Sequence, residues 1–327
     1  MLARPRRQRY CGERIPWMPG DTLTRDAGRG IKNRNRTVGD FMERDFQETV
    51  NGVDTGTARI PRSPTYIQYN PRRDLPLLLA IRNATFICHR QLWNQLSARG
   101  IETCRRSFNW RIRRLTDAGI AQKLGPLFPY PGPVYSITRA GLACLEACGE
   151  GLVSLTSESK TMADPNQIQH YLELVEIHAA LRRTNLLVEW TGDLEVRSIN
   201  QSIDVPLAKD YDAIADLEFE GARYRIAIEY ERSLKSSKRY DEIISAIAGE
   251  RQIHMVLYLT SSVDLLYQLK AEFEGQNVAI ALAPSLAFCQ NPLGVRLYAA
   301  GSINGNRTTL PSVLRSLAMK RMQKSSK

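Results

Sequence analysis

The stretch YDAIADLEFEGARYRIAIEYE, Tyr211 to Glu231, reads as two β-strands meeting at Glu220-Gly221. A two-residue turn there, with glycine supplying a positive φ at low cost, opposes Phe219 to Ala222, Leu217 to Tyr224, Ala215 to Ile226 and Ala213 to Ile228. Those residues form one apolar face. The other face pairs Glu218 with Arg223 and Asp216 with Arg225, opposite charges that favour the same register. Carried to the open end, that register sets Asp212 against Glu229 and Asp210 against Glu231. Like charges directly opposed destabilise a hairpin, so the acids call for a divalent metal, nearby lysines or a proton on one of them. Carboxylate oxygens are hard donors that suit Mg²⁺ or Mn²⁺ rather than zinc. Lysines come at once in RSLKSSKRYDEII, where Lys235 and Lys238 stand at the start of a predicted helix. A carboxylate-held metal with a lysine alongside suits phosphodiester cleavage. The metal polarises the phosphate and lowers the pKa of a water, and the lysine positions that water or stabilises developing charge.

The rest of the chain narrows the setting. Its 327 residues, 43% of them hydrophobic, allow one large or two ordinary domains, and a formal net charge of +11 favours a polyanionic partner. Six scattered cysteines form no CxxC pair, and the four histidines offer no matching zinc pattern, as expected of reduced thiols in a cytoplasmic protein. No apolar run approaches the ~20 residues of a membrane span. Residues 1–36 carry ten Arg and Lys against three acids, and the whole of 1–73 reads as a basic arm that buries too little apolar surface to fold alone. Residues 74–149 read as a compact helical unit, 150–166 as a polar linker, 167–300 as an α/β domain and 301–327 as a basic tail.

Within 74–149, two helices are predicted, the second running from His89 to Leu96 and closed by Arg99-Gly100. A third, TCRRSFNWRIRRLTDAG, has Thr103 as its predicted N-cap and Gly119 as its terminator. At 100° per residue, Cys104, Phe108, Ile112 and Leu115 share one stripe, while Arg105, Arg106, Asn109, Trp110 and Arg113 lie opposite. A strand, a Pro/Gly-rich loop, a second strand and a helix come next. Helix–helix–helix–β-loop-β–helix is the pattern of winged helix-turn-helix domains. In that architecture the third helix enters the major groove of double-stranded DNA, and Lys123 and the wing touch the backbone.

The order strand, Asp212, strand, Glu229 resembles the signature of PD-(D/E)xK nucleases, which is strand, Asp, strand, Glu-x-Lys in a restriction-endonuclease-like mixed sheet flanked by helices. Preceded by a winged helix, the chain resembles the plasmid replication-relaxation family, which includes mobilisation relaxases that nick an origin of transfer. NQIQHYLELVEIHAAL, LVEW and YDAIADLEF…IAIEYERS…K…RY keep that family's order over roughly residues 75–285. The resemblance implies that Asp212 and Glu229 hold the metal, with Glu231 standing where related nucleases carry lysine. Tyr211 likewise replaces the proline that precedes the first acid. The lysine role then passes to Lys235 or Lys238, or is absent. Glu173 and Glu176 on the preceding helix are candidate further ligands, while His170 and His178, roughly cofacial on that helix, read as packing or hydrogen-bonding residues.

The residues support two functions ahead of a third, in which the winged helix docks a protein within a relaxosome. One is a Mg²⁺- or Mn²⁺-dependent nickase or relaxase acting in mobilisation or replication beside other relaxosome proteins. The other is a non-catalytic DNA-binding regulator. Removing residues 1–36 should weaken binding to every duplex alike and reduce the slope of log affinity against log salt, because an unstructured basic arm supplies phosphate contacts alone. A titration over several salt concentrations measures that slope, and an unchanged slope would detach the arm from DNA.

Overall fold

A computed structural model describes residues 70–151, 153, 164–202, 206–301 and 308–325. The expected arm at 1–73 lies outside these residues except for its last four, and most of the 150–166 linker lies outside them too. In chain order the first elements are α1 (Pro71–Ala84), β1 (Ile87–Cys88), α2 (His89–Ala98), α3 (Arg105–Asp117), β2 (Ala121–Leu127), β3 (Tyr130–Ile137) and α4 (Arg139–Glu146). The strands form a three-stranded antiparallel sheet in the order β1-β3-β2. Gly100 and Gly119 adopt φ of 68° and 69° and end α2 and α3 as expected. Cys104, not Thr103, precedes the first turn of α3, and its side chain makes no capping bond and is exposed. Phe108, Ile112 and Leu115 are buried against α1, α2 and α4.

The second half comprises α5 (Pro165–Arg183), β4 (Leu187–Gly192), α6 (Asp193–Ser202), β5 (Ala213–Phe219), β6 (Ala222–Glu231), α7 (Ser237–Gly249), β7 (Met255–Thr260), α8 (Val263–Phe273), β8 (Ala279–Pro284), α9 (Ser285–Gln290), β9 (Tyr298–Gly301) and α10 (Leu310–Ser325). Its strands form one mixed sheet in the order β4-β5-β6-β7-β8-β9, with β6–β7 and β7–β8 parallel and the other pairs antiparallel. The β5–β6 ladder has the register expected from the sequence, running from Phe219–Ala222 to Ala213–Ile228. Glu220 and Gly221, at φ 51° and 78°, both take the positive φ that a type I′ turn requires.

Alternation along β5 and β6 sends side chains to two cores. Ala213, Ala215, Leu217, Tyr224, Ile226, Ile228 and Tyr230 pack under Tyr171, Leu174 and Ile177 of α5. Ile214 and Ala227 face the opposite side, under Tyr240, Ile243 and Ile247 of α7 and Leu265, Leu269 and Phe273 of α8. Every residue of β7, MVLYLT, is buried, as a strand flanked by parallel neighbours and covered on both faces must be. The expected tail is partly structural, since Leu310, Val313 and Leu314 of α10 join the α5-side core and Arg315 pairs with Glu220 at the hairpin turn.

The two halves meet along α5 and along the end of α1. Gln91 donates from Nε2 to the Leu172 carbonyl at 2.7 Å and to Glu176 Oε1 at 2.8 Å. Val175 packs into the core formed by α1 to α4. At Gly192 a Cβ atom would lie 2.2 Å from the carbonyl oxygen of Asn83, so the end of β4 approaches α1 more closely than any side chain allows. Gly192→Ala should therefore destabilise the chain by about 1–3 kcal/mol in urea denaturation. Gly125→Ala, with open space around the added methyl, serves as the near-neutral control. Equal midpoints for the two variants would contradict this contact.

Candidate functional site

Asp212 and Glu229 do meet at the open end of the β5–β6 hairpin. The ladder stops at Ala213–Ile228, and Asp212 continues it with its side chain, Oδ2 accepting the Tyr230 N–H at 2.8 Å. Its other oxygen, Oδ1, lies 3.3 Å from His170 Nε2 on α5. Glu229 is 4% exposed, and Lys209 Nζ stands 2.6 Å from its Oε1. The contact is one of charge, and among the described residues Oε1 has no assigned hydrogen-bond partner. Asp193, at the start of α6, is a second buried acid nearby, accepting from Tyr171 Oη at 2.6 Å and from Arg197 Nε at 2.8 Å.

The counter-charge for the two acids thus comes from the protein. Burial pushes the Glu229 carboxyl up to about 7, with the Asp212 charge adding to the effect and Lys209 opposing it. Burial also works against ionised Asp212, but the His170 bond and charge, the Tyr230 N–H and Lys209 outweigh it and hold this carboxyl below its ordinary value. His170 is pushed down by burial and up by its bond to Asp212 and by the charges of Asp212, Glu229 and Asp193, with a net rise. Two facing carboxylates with opposite shifts are what a shared charge burden produces.

The other expected members lie elsewhere. Asp210 does not face Glu231; it accepts from Asn200 Nδ2 at 2.7 Å. Glu231 is buried and pairs with Lys235, and Lys238 is exposed with no acid partner among the described residues. Lys209, three residues before Asp212, occupies the place expected for Lys235 or Lys238 beside Glu229. Glu173 pairs with Arg232 and Glu176 with Gln91, so neither joins the centre. His178 stacks on Trp190 at 4.6 Å, while its cofacial neighbour His170 belongs to the centre. Lys209 was open to recognition from its place in KDYD, just before the hairpin. Asp193 left no such signal.

Asp212 and Glu229 are donors of the type Mg²⁺ and Mn²⁺ prefer, but their arrangement does not fit an ion. Both Asp212 oxygens are engaged, and the Lys209 ammonium stands at Glu229. Among the described residues no group of three or more His, Cys, Asp or Glu side chains is placed to hold a metal.

On α3 the basic residues divide sharply. Arg111 is buried, donating to the Arg73 carbonyl at 3.1 Å and pairing with Glu102 and Asp74, and Arg114 also pairs with Asp74. Arg105, Arg106, Asn109, Trp110 and Arg113 are exposed, as is Lys123 on β2. Arg105 lies over the Trp93 ring at 4.8 Å, and Arg113 lies 3.5 Å from Asp117 with both side chains largely in solvent. Trp110 is 62% exposed, unusual for so large an apolar side chain. His89, at the start of α2, bridges the unit, with Nε2 3.0 Å from Asn109 Oδ1 and Nδ1 3.0 Å from Tyr135 Oη on β3.

No helix among the described residues is long and apolar enough to cross a membrane. No protein-family model and no curated protein matches the chain. Among solved structures it is similar to the restriction endonuclease FokI bound to DNA, at 12% sequence identity and a TM-score of 0.23, over 67% of this chain and 43% of that one. A likeness this distant leaves the function to be argued from the residues themselves.

The shift at Glu229 carries a stability signature. A carboxyl raised in the folded state contributes stability that is full below its ordinary value of 4.5 and is lost as pH rises through about 7. His170, also raised, acts in the same direction. Native stability should therefore decline from pH 5 to pH 8. Glu229→Gln should remove at least about 1.4 kcal/mol of that decline, the equivalent of one pKa unit. Urea denaturation across this range measures it, and parallel profiles would mean that Glu229 titrates normally.

Proposed function

We propose that the protein binds double-stranded DNA through a winged-helix unit, with α3 as the recognition helix and the β2–β3 hairpin as the wing. The observation that carries this is the division of arginines on α3. Arg111 and Arg114 are consumed by Asp74 and Glu102, while Arg106, Asn109, Trp110 and Arg113 face solvent on the surface opposite the buried stripe. An exposed face that combines guanidinium groups, an amide and an aromatic ring provides both phosphate contacts and base-edge hydrogen bonds. On the sequence resemblance, the setting we propose is replication or mobilisation of a plasmid or other mobile element, alongside other transfer proteins. Because protein cations balance Asp212 and Glu229, a non-catalytic DNA-binding role is the reading we put first.

A Mg²⁺- or Mn²⁺-dependent nickase within a restriction-endonuclease-like domain is the second reading. It is favoured by the burial of Glu229 beside Asp212, the two acids that the sequence resemblance makes metal ligands, and it requires Lys209 to give way to the ion.

Alanine at Arg106, Asn109 and Arg113 together should erase preference for a selected site, at about 1–3 kcal/mol for each good base contact, and leave weak salt-sensitive binding to any duplex. Full site preference in this variant would remove α3 from recognition. Supercoiled plasmid from the native element, incubated with Mg²⁺, Mn²⁺ or EDTA, separates the two readings. Open circles that require the ion and vanish in Asp212→Asn establish the nickase, and their absence with native binding intact leaves the regulator.

A further inference from the structure

We propose that His89 fixes the polarity with which Asn109 meets a base, so that α3 selects guanine rather than adenine at that position. This rests on the DNA-binding reading above. A side-chain amide oxygen can only accept, so the 3.0 Å contact between His89 Nε2 and Asn109 Oδ1 requires the hydrogen on Nε2. A neutral ring carries one such hydrogen, which leaves Nδ1 to accept from the Tyr135 hydroxyl at 3.0 Å. Burial favours the neutral ring, as do the nearby charges of Arg105 and Lys123, with the Asn109 bond opposing. The ring is also wedged between aromatic neighbours, 4.9 Å from Phe108 and 5.9 Å from Tyr135, so it cannot turn freely.

An unengaged asparagine reads adenine with both ends, its oxygen accepting from N6 and its nitrogen donating to N7. Here the oxygen is held by His89, and the part of Asn109 left uncommitted is an NH₂ group with two donors. Guanine presents N7 and O6 in the major groove, both acceptors, and adenine presents only one. His89 is thus a positioning residue. It need not touch DNA, and it couples the recognition helix to β3 through a single ring.

The experiment selects binding sites from a randomised duplex with the full-length chain, its His89→Phe variant and its Asn109→Ala variant. Asn109→Ala identifies the position by losing preference there. The native chain should favour guanine over adenine at that position by about tenfold, the size of one good base contact. His89→Phe, which keeps an aromatic ring but offers no N–H, should lose that preference and gain adenine. Adenine preference in the native chain, or an unchanged guanine preference in His89→Phe, overturns the inference while leaving DNA binding in place. Failure to select any duplex takes down the DNA-binding reading and this inference with it. A measurement without DNA stands beside these: ¹⁵N chemical shifts of His89 in the native chain should show Nε2 protonated and Nδ1 bare, and the reverse tautomer overturns the proposal.

Discussion

The β5–β6 hairpin closes in one register, and much of the second half depends on that closure. A Glu220-Gly221 turn with both residues at positive φ sets the pairing, and Asp216 between Arg223 and Arg225 reinforces it. A slip by one residue would send the apolar set of each strand to the wrong core, since side chains alternate between α5 on one face and α7 and α8 on the other. The same closure presses Asp212 and Glu229 together. Because the register cannot yield, the charges must, and they do so through His170, Lys209 and the raised pKa of Glu229.

Helix α5 ties this centre to the N-terminal half. Tyr171, Leu174 and Ile177 lie on the sheet, Val175 packs among α1 to α4, and Gln91 bonds both the Leu172 carbonyl and Glu176. His170 reaches Asp212 from the same helix. The acid centre and the exposed face of α3 are therefore supported by one shared element, with Gly192 against Asn83 as a second point of close backbone contact.

Charge on α3 has two uses that composition alone merges. Arg111 lies among Asp74, Glu102 and the Arg73 carbonyl, a buried position where removing either acid would leave the arginines short of counter-charge. Arg106 and Arg113 stay in solvent, where ion pairs such as Arg113–Asp117 are worth little, and on the proposal above they are left for DNA.

The sequence by itself determined the features that periodicity and local chemistry dictate. Alternation and charge pairing gave the hairpin register to the residue, helical spacing gave the buried stripe of α3, and glycines marked the ends of α2 and α3. These depend on neighbours along the chain or directly across one turn. The tertiary structure decided which cation answers Glu229, since Lys209 before the hairpin and Lys235 and Lys238 after it all flank the strand ends, and only the path of the chain around them brings Lys209 to the acid. It also brought His170 and Asp193 to Asp212 from separate helices, turned Asp210 towards Asn200, and recruited Leu310, Val313 and Leu314 into the core. Long-range packing chose these partners, and side-chain spacing carries no record of it.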